Sequence, residues 1–87
     1  METRYNVQIK ESAVKALNEL PSDQQLRIRR KIAALADNPY PPGARKLKGE
    51  EIAYRIRVGD YRVVYEVFEG AITVLVLRIG HRKDVYR

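Results

Sequence analysis

From residue 52 onward the apolar residues recur at nearly every second position, and this period confines the second half of the chain to strands. Three are predicted, over 52–58, 61–68 and 71–79. Gly59 and Asp60 separate the first two, Glu69 and Gly70 the second two, and pairs of this kind close two-residue hairpins. The three strands therefore form an antiparallel meander.

Upstream, Tyr5, Val7 and Ile9 alternate with Arg4, Asn6 and Gln8, the pattern of a first strand. Two helical patterns follow. Ser12 is placed to cap a helix ending near residue 20, with Ala13, Ala16, Leu17 and Leu20 on one face. Pro21 ends it, and Ser22 is placed to cap a second helix, with Gln25 three positions on as a capping box. Leu26, Ile28, Ile32, Leu35 and Ala36 supply its apolar stripe, with Ile28 at the edge, and Arg27, Arg29, Arg30 and Lys31 its exposed side. Asn38 and Pro39 stop the helix, and residues 40–43, YPPG, make a stiff loop. The expected order is β-α-α-β-β-β. This is an α+β fold, an antiparallel sheet with an αα-hairpin packed on one face and residues 1–87 as a single domain.

No cysteine is present, and a secreted domain of 87 residues usually needs disulfides, so the expected location is cytoplasmic. The opening METRYNVQIK has no continuous apolar stretch of the signal-peptide kind. The longest apolar run, 71–77, is interrupted by Thr73 and too short to span a bilayer, so no membrane role is expected. The charge is more informative. Seventeen basic residues against eleven acidic ones give +6, and eleven of the seventeen are arginine. The planar guanidinium matches phosphate geometry, so this bias points to nucleic acid or to an acidic protein partner.

With Gly59 and Asp60 as a two-residue loop, Val58 faces Tyr61, Arg57 faces Arg62, Ile56 faces Val63 and Arg55 faces Val64. Tyr54, Ile56, Val58, Tyr61, Val63 and Tyr65 then share the face suited to lie under the helices, and Arg55, Arg57 and Arg62 share the other. Like charges directly opposed across a sheet are destabilising, where a matched pair would contribute roughly 0.2–1 kcal/mol. A phosphate between Arg57 and Arg62 resolves the conflict. With Glu69 and Gly70 as the second turn, Leu77 lies opposite Arg62 and Arg78 opposite Tyr61. The tail GHRKDVYR then emerges beside the arginines, and a bend at Gly80 lets His81, Arg82 and Tyr86 fold over them. Arg45, Lys46 and Lys48, in the loop before the sheet, add three positive charges.

A metal-free ribonuclease needs these groups: a base for the 2′-hydroxyl proton, cations for the charge developing on phosphorus, and an acid for the leaving 5′-oxygen. His81 carries the side chain that exchanges protons most readily near neutral pH, with Tyr86 a weaker candidate base. Either ring can also stack on a base. One histidine, no cysteine and scattered carboxylates build no metal site, and no cofactor is expected.

These residues resemble the RelE family of toxins, within the RelE/ParE superfamily. The resemblance runs through the YNVQI strand, KALNELP, the NPYPPGARKLKG loop, YRIRVGDYRVVYEV and the closing IGHRKDVYR. It implies an mRNA interferase that enters the ribosomal A site and cuts mRNA by 2′-hydroxyl attack, leaving a 2′,3′-cyclic phosphate. It implies a cognate antitoxin that blocks the toxin and with it binds operator DNA; the charge of the chain suits an acidic one. By position, Arg55 and Arg57 fall where such toxins carry catalytic lysine or arginine, and Arg62 falls on the phosphate-binding arginine. Arg82 falls on the arginine assigned to the leaving group or to charge stabilisation, and Tyr86 on the C-terminal tyrosine. Two departures stand out. Arginine is a poor base, so Arg55 and Arg57 cannot take the role of lysine bases. A glutamate that some relatives carry before the KLKG segment is replaced by Gly43, Ala44 and Arg45. The rival readings are a ParE-like gyrase poison, which has no need of the convergent basic set, and a non-catalytic nucleic-acid-binding module.

Overall fold

The computed structural model describes residues 4–81. Its elements are β1 (Asn6–Ile9), α1 (Glu11–Asn18), α2 (Ser22–Ala34), β2 (Arg45–Lys46), β3 (Ala53–Val58), β4 (Tyr61–Phe68) and β5 (Thr73–His81). They form one five-stranded sheet in the order β1-β5-β4-β3-β2, with α1 over β5 and α2 over β3. The α+β order and the meander are those the periodicity predicts. The sheet is mixed rather than wholly antiparallel, because β1 lies parallel to β5, and the loop before the meander contributes the short edge strand β2.

The helix-facing side of the sheet meets the helices in a core where Leu17, Ile28, Leu35, Val63, Tyr65, Val74 and Val76 are fully buried. Ile28 is therefore central to the stripe of α2, in step with Ile32 and Leu35 at i+4 and i+7, whereas Leu26 lies off it and is 50% exposed. Neither expected serine cap forms. Lys10 and Pro21 occupy the N-cap positions, and neither makes a side-chain cap bond. Gln25 instead donates from Nε2 to the carbonyls of Leu20 at 2.8 Å and Asn18 at 3.2 Å, so it closes the end of the preceding helix.

The β3–β4 turn has Gly59 at φ +61°, as a II′ hairpin requires at its first position. The β4–β5 connection departs from expectation. It is a four-residue loop, 69–72, pairing Phe68 with Thr73, and Ile72 adopts φ +47°. A β-branched residue is rarely held there. The Ile72 carbonyl accepts the Asn6 N–H at 2.9 Å, which ties this loop to β1.

Beside it, the phenols of Tyr40 and Tyr5 both donate to the Glu69 carboxylate. The ring of Tyr40 meets Tyr54 edge-on, Tyr54 stacks on Tyr65, and the Tyr65 hydroxyl donates to the Pro39 carbonyl at 2.7 Å. The two phenols hold the Glu69 carboxyl below its ordinary 4.5. A carboxyl that ionises more readily folded than unfolded adds stability above its unfolded value, and that stability is lost as pH falls through the folded value. The wild-type melting temperature should therefore drop further than that of Glu69→Gln between about pH 5 and pH 3. Parallel curves for the two proteins would mean that the carboxylate contributes nothing.

Candidate functional site

The face of the sheet away from the helices carries the arginines. Arg57 stands opposite Arg62, as the first turn predicts, with Arg55 opposite Val64. On its other side Arg55 pairs with Arg45 of β2, so a second like-charged pair is built into the ladder. Reading across the strands, one row is Arg45, Arg55, Val64 and Arg78, and the next is Arg57, Arg62 and Gly80.

The position of Arg78 comes from an irregularity. Between Val64 and Tyr65 the register slips, so that Tyr65 pairs with Val76 but Val64 with Arg78, and Leu77 is the extra residue of a bulge. Val74, Val76 and Ile79 all reach the core, although 76 and 79 differ by an odd number. Without the bulge either Ile79 or the pair before it would face solvent. The same device turns Arg78 outward. Sequence reasoning did not select Arg78; the break in alternation after Val76 is the signal that points to it.

The longer loop and the bulge together displace the expected register of β5. Arg62 faces Gly80 instead of Leu77, and Tyr61 faces His81 instead of Arg78. Gly80 continues the strand and makes no bend away from it. His81 stands on the Tyr61 side, the side of the helices, with ring centroids 5.8 Å apart and an edge-on angle of 78°. The expected imidazole over the arginine cluster is therefore not found. Arg82 and Tyr86 lie outside the described residues.

A cleft of about 590 Å³ opens on the arginine face. Lys46, Lys48, Arg55 and Arg78 line it with positive charge, and Val64, Ala53, Leu47 and Leu77 make its apolar surface. Two carboxylates, Glu50 and Glu66, enter the same space. Arg57 borders a second cleft of about 550 Å³, between α2 and the β3–β4 turn, with Arg27, Arg30 and Lys31 and no acidic residue. Arg27, Arg30 and Lys31 are spaced i, i+3, i+4, so like charges crowd one helix face at a cost of a few tenths of a kcal/mol per pair, roughly. Arg57 Nε donates to the Gly59 carbonyl at 3.0 Å, and a Cβ at Gly59 would come within 3.2 Å of the Arg27 guanidinium. Among the described residues no three of His, Cys, Asp and Glu gather to hold a metal ion. Among the described residues no helix is long and apolar enough to cross a membrane.

A small sheet whose bare face is ruled by opposed arginines, backed by a helical hairpin, matches a known class. The family described as ParE toxin of type II toxin-antitoxin system, parDE, matches residues 7–86. The chain is 30% identical to the putative toxin RelE1 of Methanocaldococcus jannaschii, over 97% of both chains. It is 29% identical to the mRNA interferase toxin RelE of Escherichia coli K12, over 94% of this chain and 90% of that one. The RelE–RelB complex of Pyrococcus horikoshii contains a chain that superposes with a TM-score of 0.83 at 32% identity, covering 93% of this chain and 98% of that one. The chain belongs to the RelE/ParE superfamily of type II toxins, and within it to the RelE-like members.

Proposed function

We propose that this toxin is an endoribonuclease that cuts mRNA in the ribosomal A site, by attack of a 2′-hydroxyl on the adjacent phosphate. The single observation that carries this reading is the pair of in-register arginine oppositions, Arg57 with Arg62 and Arg45 with Arg55, on an uncovered sheet face. Each sets two like charges directly across the ladder, an arrangement that a phosphate between the guanidiniums turns from repulsion into attraction. The likeness to a protein named as an mRNA interferase supports the same conclusion. Arg57 and Arg62 bind the scissile phosphate, and Arg55 and Arg78 neutralise the charge that develops on it. Arg82 and Tyr86 serve the leaving oxygen and the stacked base, as the family resemblance implies. Lys46, Lys48 and the cleft of Arg27, Arg30 and Lys31 hold further RNA phosphates.

The partner that silences the toxin is an acidic antitoxin that folds over the cationic face, and the complex reaches operator DNA through the antitoxin. Solved relatives include toxins bound to RelB antitoxins. The site of action is the cytoplasm. No metal or cofactor takes part.

Induced alone in a bacterial host, the protein should arrest growth, with coding regions cut and 2′,3′-cyclic phosphates at the new ends. Intact mRNA during arrest, together with inhibited gyrase supercoiling, would favour the ParE-like reading that the family match also permits. RNA binding without new ends would leave a non-catalytic binding module.

A further inference from the structure

We propose that Glu66 is the general base that takes the 2′-hydroxyl proton, an inference that rests on the RNA-cleaving reading above. The reaction needs a proton acceptor on the arginine face. The guanidiniums of Arg55 and Arg57 cannot serve, since arginine does not give up its proton in proteins. His81 is directed to the opposite side of the sheet, against Tyr61. Among the described residues that line the main cleft, the anionic groups suited to accept a proton are the carboxylates of Glu50 and Glu66.

Glu66 is the better placed of the two. It sits in the middle of β4, paired with Ala53 on one side and Leu75 on the other, so its backbone is held by both neighbours. Glu50 lies on the exposed connection between β2 and β3. A base carried on a paired strand is positioned more closely than one on a loop. Two residues along β4 from Glu66 is Val64, which faces Arg55 on β3 and Arg78 on β5. Glu66 is therefore the diagonal neighbour of Arg55, at a separation of roughly 7–8 Å between Cα atoms, within reach of long side chains. The charged groups that face it are Arg55 from β3, Arg78 from β5, and Lys46, Lys48 and Glu50 from the segment that rims the cleft.

In the step proposed, the 2′-hydroxyl proton passes to a Glu66 carboxylate oxygen as the 2′-oxygen bonds to phosphorus. The bond from phosphorus to the 5′-oxygen breaks, and that oxygen leaves with the electron pair and takes a proton from solvent. The products are a 2′,3′-cyclic phosphate and a 5′-hydroxyl. Arg55 and Arg78 flank the site where the phosphorane carries its charge, so base and charge stabilisers occupy one cleft.

The test is single-turnover cleavage of a defined mRNA on programmed ribosomes by the full-length toxin, across pH. Glu66→Gln keeps the shape of the side chain and should melt with the wild type. It should cleave about 100- to 10,000-fold more slowly, the range general-base catalysis supplies, and lose the acid limb of the wild-type rate profile. Added formate should restore part of the rate to Glu66→Ala. Wild-type rate and profile in Glu66→Gln, with cyclic phosphate still formed, would overturn this assignment and leave the RNA-cleaving reading standing. A slow Glu66→Gln that keeps the acid limb, with no rescue by formate, would make Glu66 a counter-ion and overturn it too. A wild type that forms no cyclic phosphate would remove the reading itself.

Discussion

Arg62→Ala is expected to lower mRNA cleavage about 100- to 1,000-fold, the loss found when one preorganised donor is removed from a developing oxyanion. The fold should not suffer. Arg62 faces Arg57 directly across the β3–β4 ladder, so truncation relieves a like-charge repulsion. Its melting temperature should equal that of the wild type or rise slightly. Cleavage rate and thermal unfolding, measured on one preparation, separate the possibilities. A variant that melts many degrees early would show that Arg62 holds the sheet together, and its lost activity would then say nothing about phosphate binding.

Tyr65→Ala should have the largest effect on stability. Tyr65 is fully buried, its ring stacks on Tyr54, and burial pushes its phenol up to about 12. Emptying an aromatic site of this size costs about 3–5 kcal/mol. Native stability for a chain of this length is of order 4–13 kcal/mol, so the variant should lie near or below the threshold of folding. At about 4–8 °C per kcal/mol, the melting temperature should fall by at least 12 °C or so. Tyr65→Phe keeps the ring and loses only the 2.7 Å bond to the Pro39 carbonyl, which should cost about 1 kcal/mol. Equal losses in both variants would place the stabilisation in the hydroxyl rather than the packing.

The contrast between the two hairpins shows what could be read from the sequence. Gly59 takes the one backbone conformation that a two-residue turn demands and glycine favours, so the residues opposite it followed by counting. In the second hairpin the left-handed position is held by Ile72, a residue type that gives no warning of it. Its conformation comes with a hydrogen bond to β1, a contact far away in sequence. That loop shifts the register by two, which preserves the faces, and the bulge at Leu77 adds the single-residue slip that moves His81 to the other face of the sheet. Arg55, Arg57 and Arg62 were legible because they depend on the first hairpin alone. Arg78 was not singled out, because its meeting with Arg55 depends on how β3, β4 and β5 align together, whereas Glu66 shares the β3–β4 register with Arg55 and falls on the same face by the first hairpin alone. The parallel seating of β1 was hidden for a similar reason: alternation marks a strand and carries no information about its neighbour. The serine caps failed because Lys10, two residues before Ser12, and Pro21, one before Ser22, already adopt the N-cap backbone.

The seating of β5 between β1 and β4 also bears on when the toxin comes into being. During synthesis β1 is made before β5, the strand it pairs with, and among the described residues every other strand of the sheet is made between the two. Helices and the β3–β4 hairpin can form early from neighbouring residues, whereas closure of the sheet waits for contacts of very high sequence separation. Until β5 is in place, the main cleft lacks Leu77 and Arg78, and the row that ends at Gly80 has no edge. A chain that has not yet added β5 thus carries its arginines without the surface that arranges them, and the cationic face exists only once the sheet has closed.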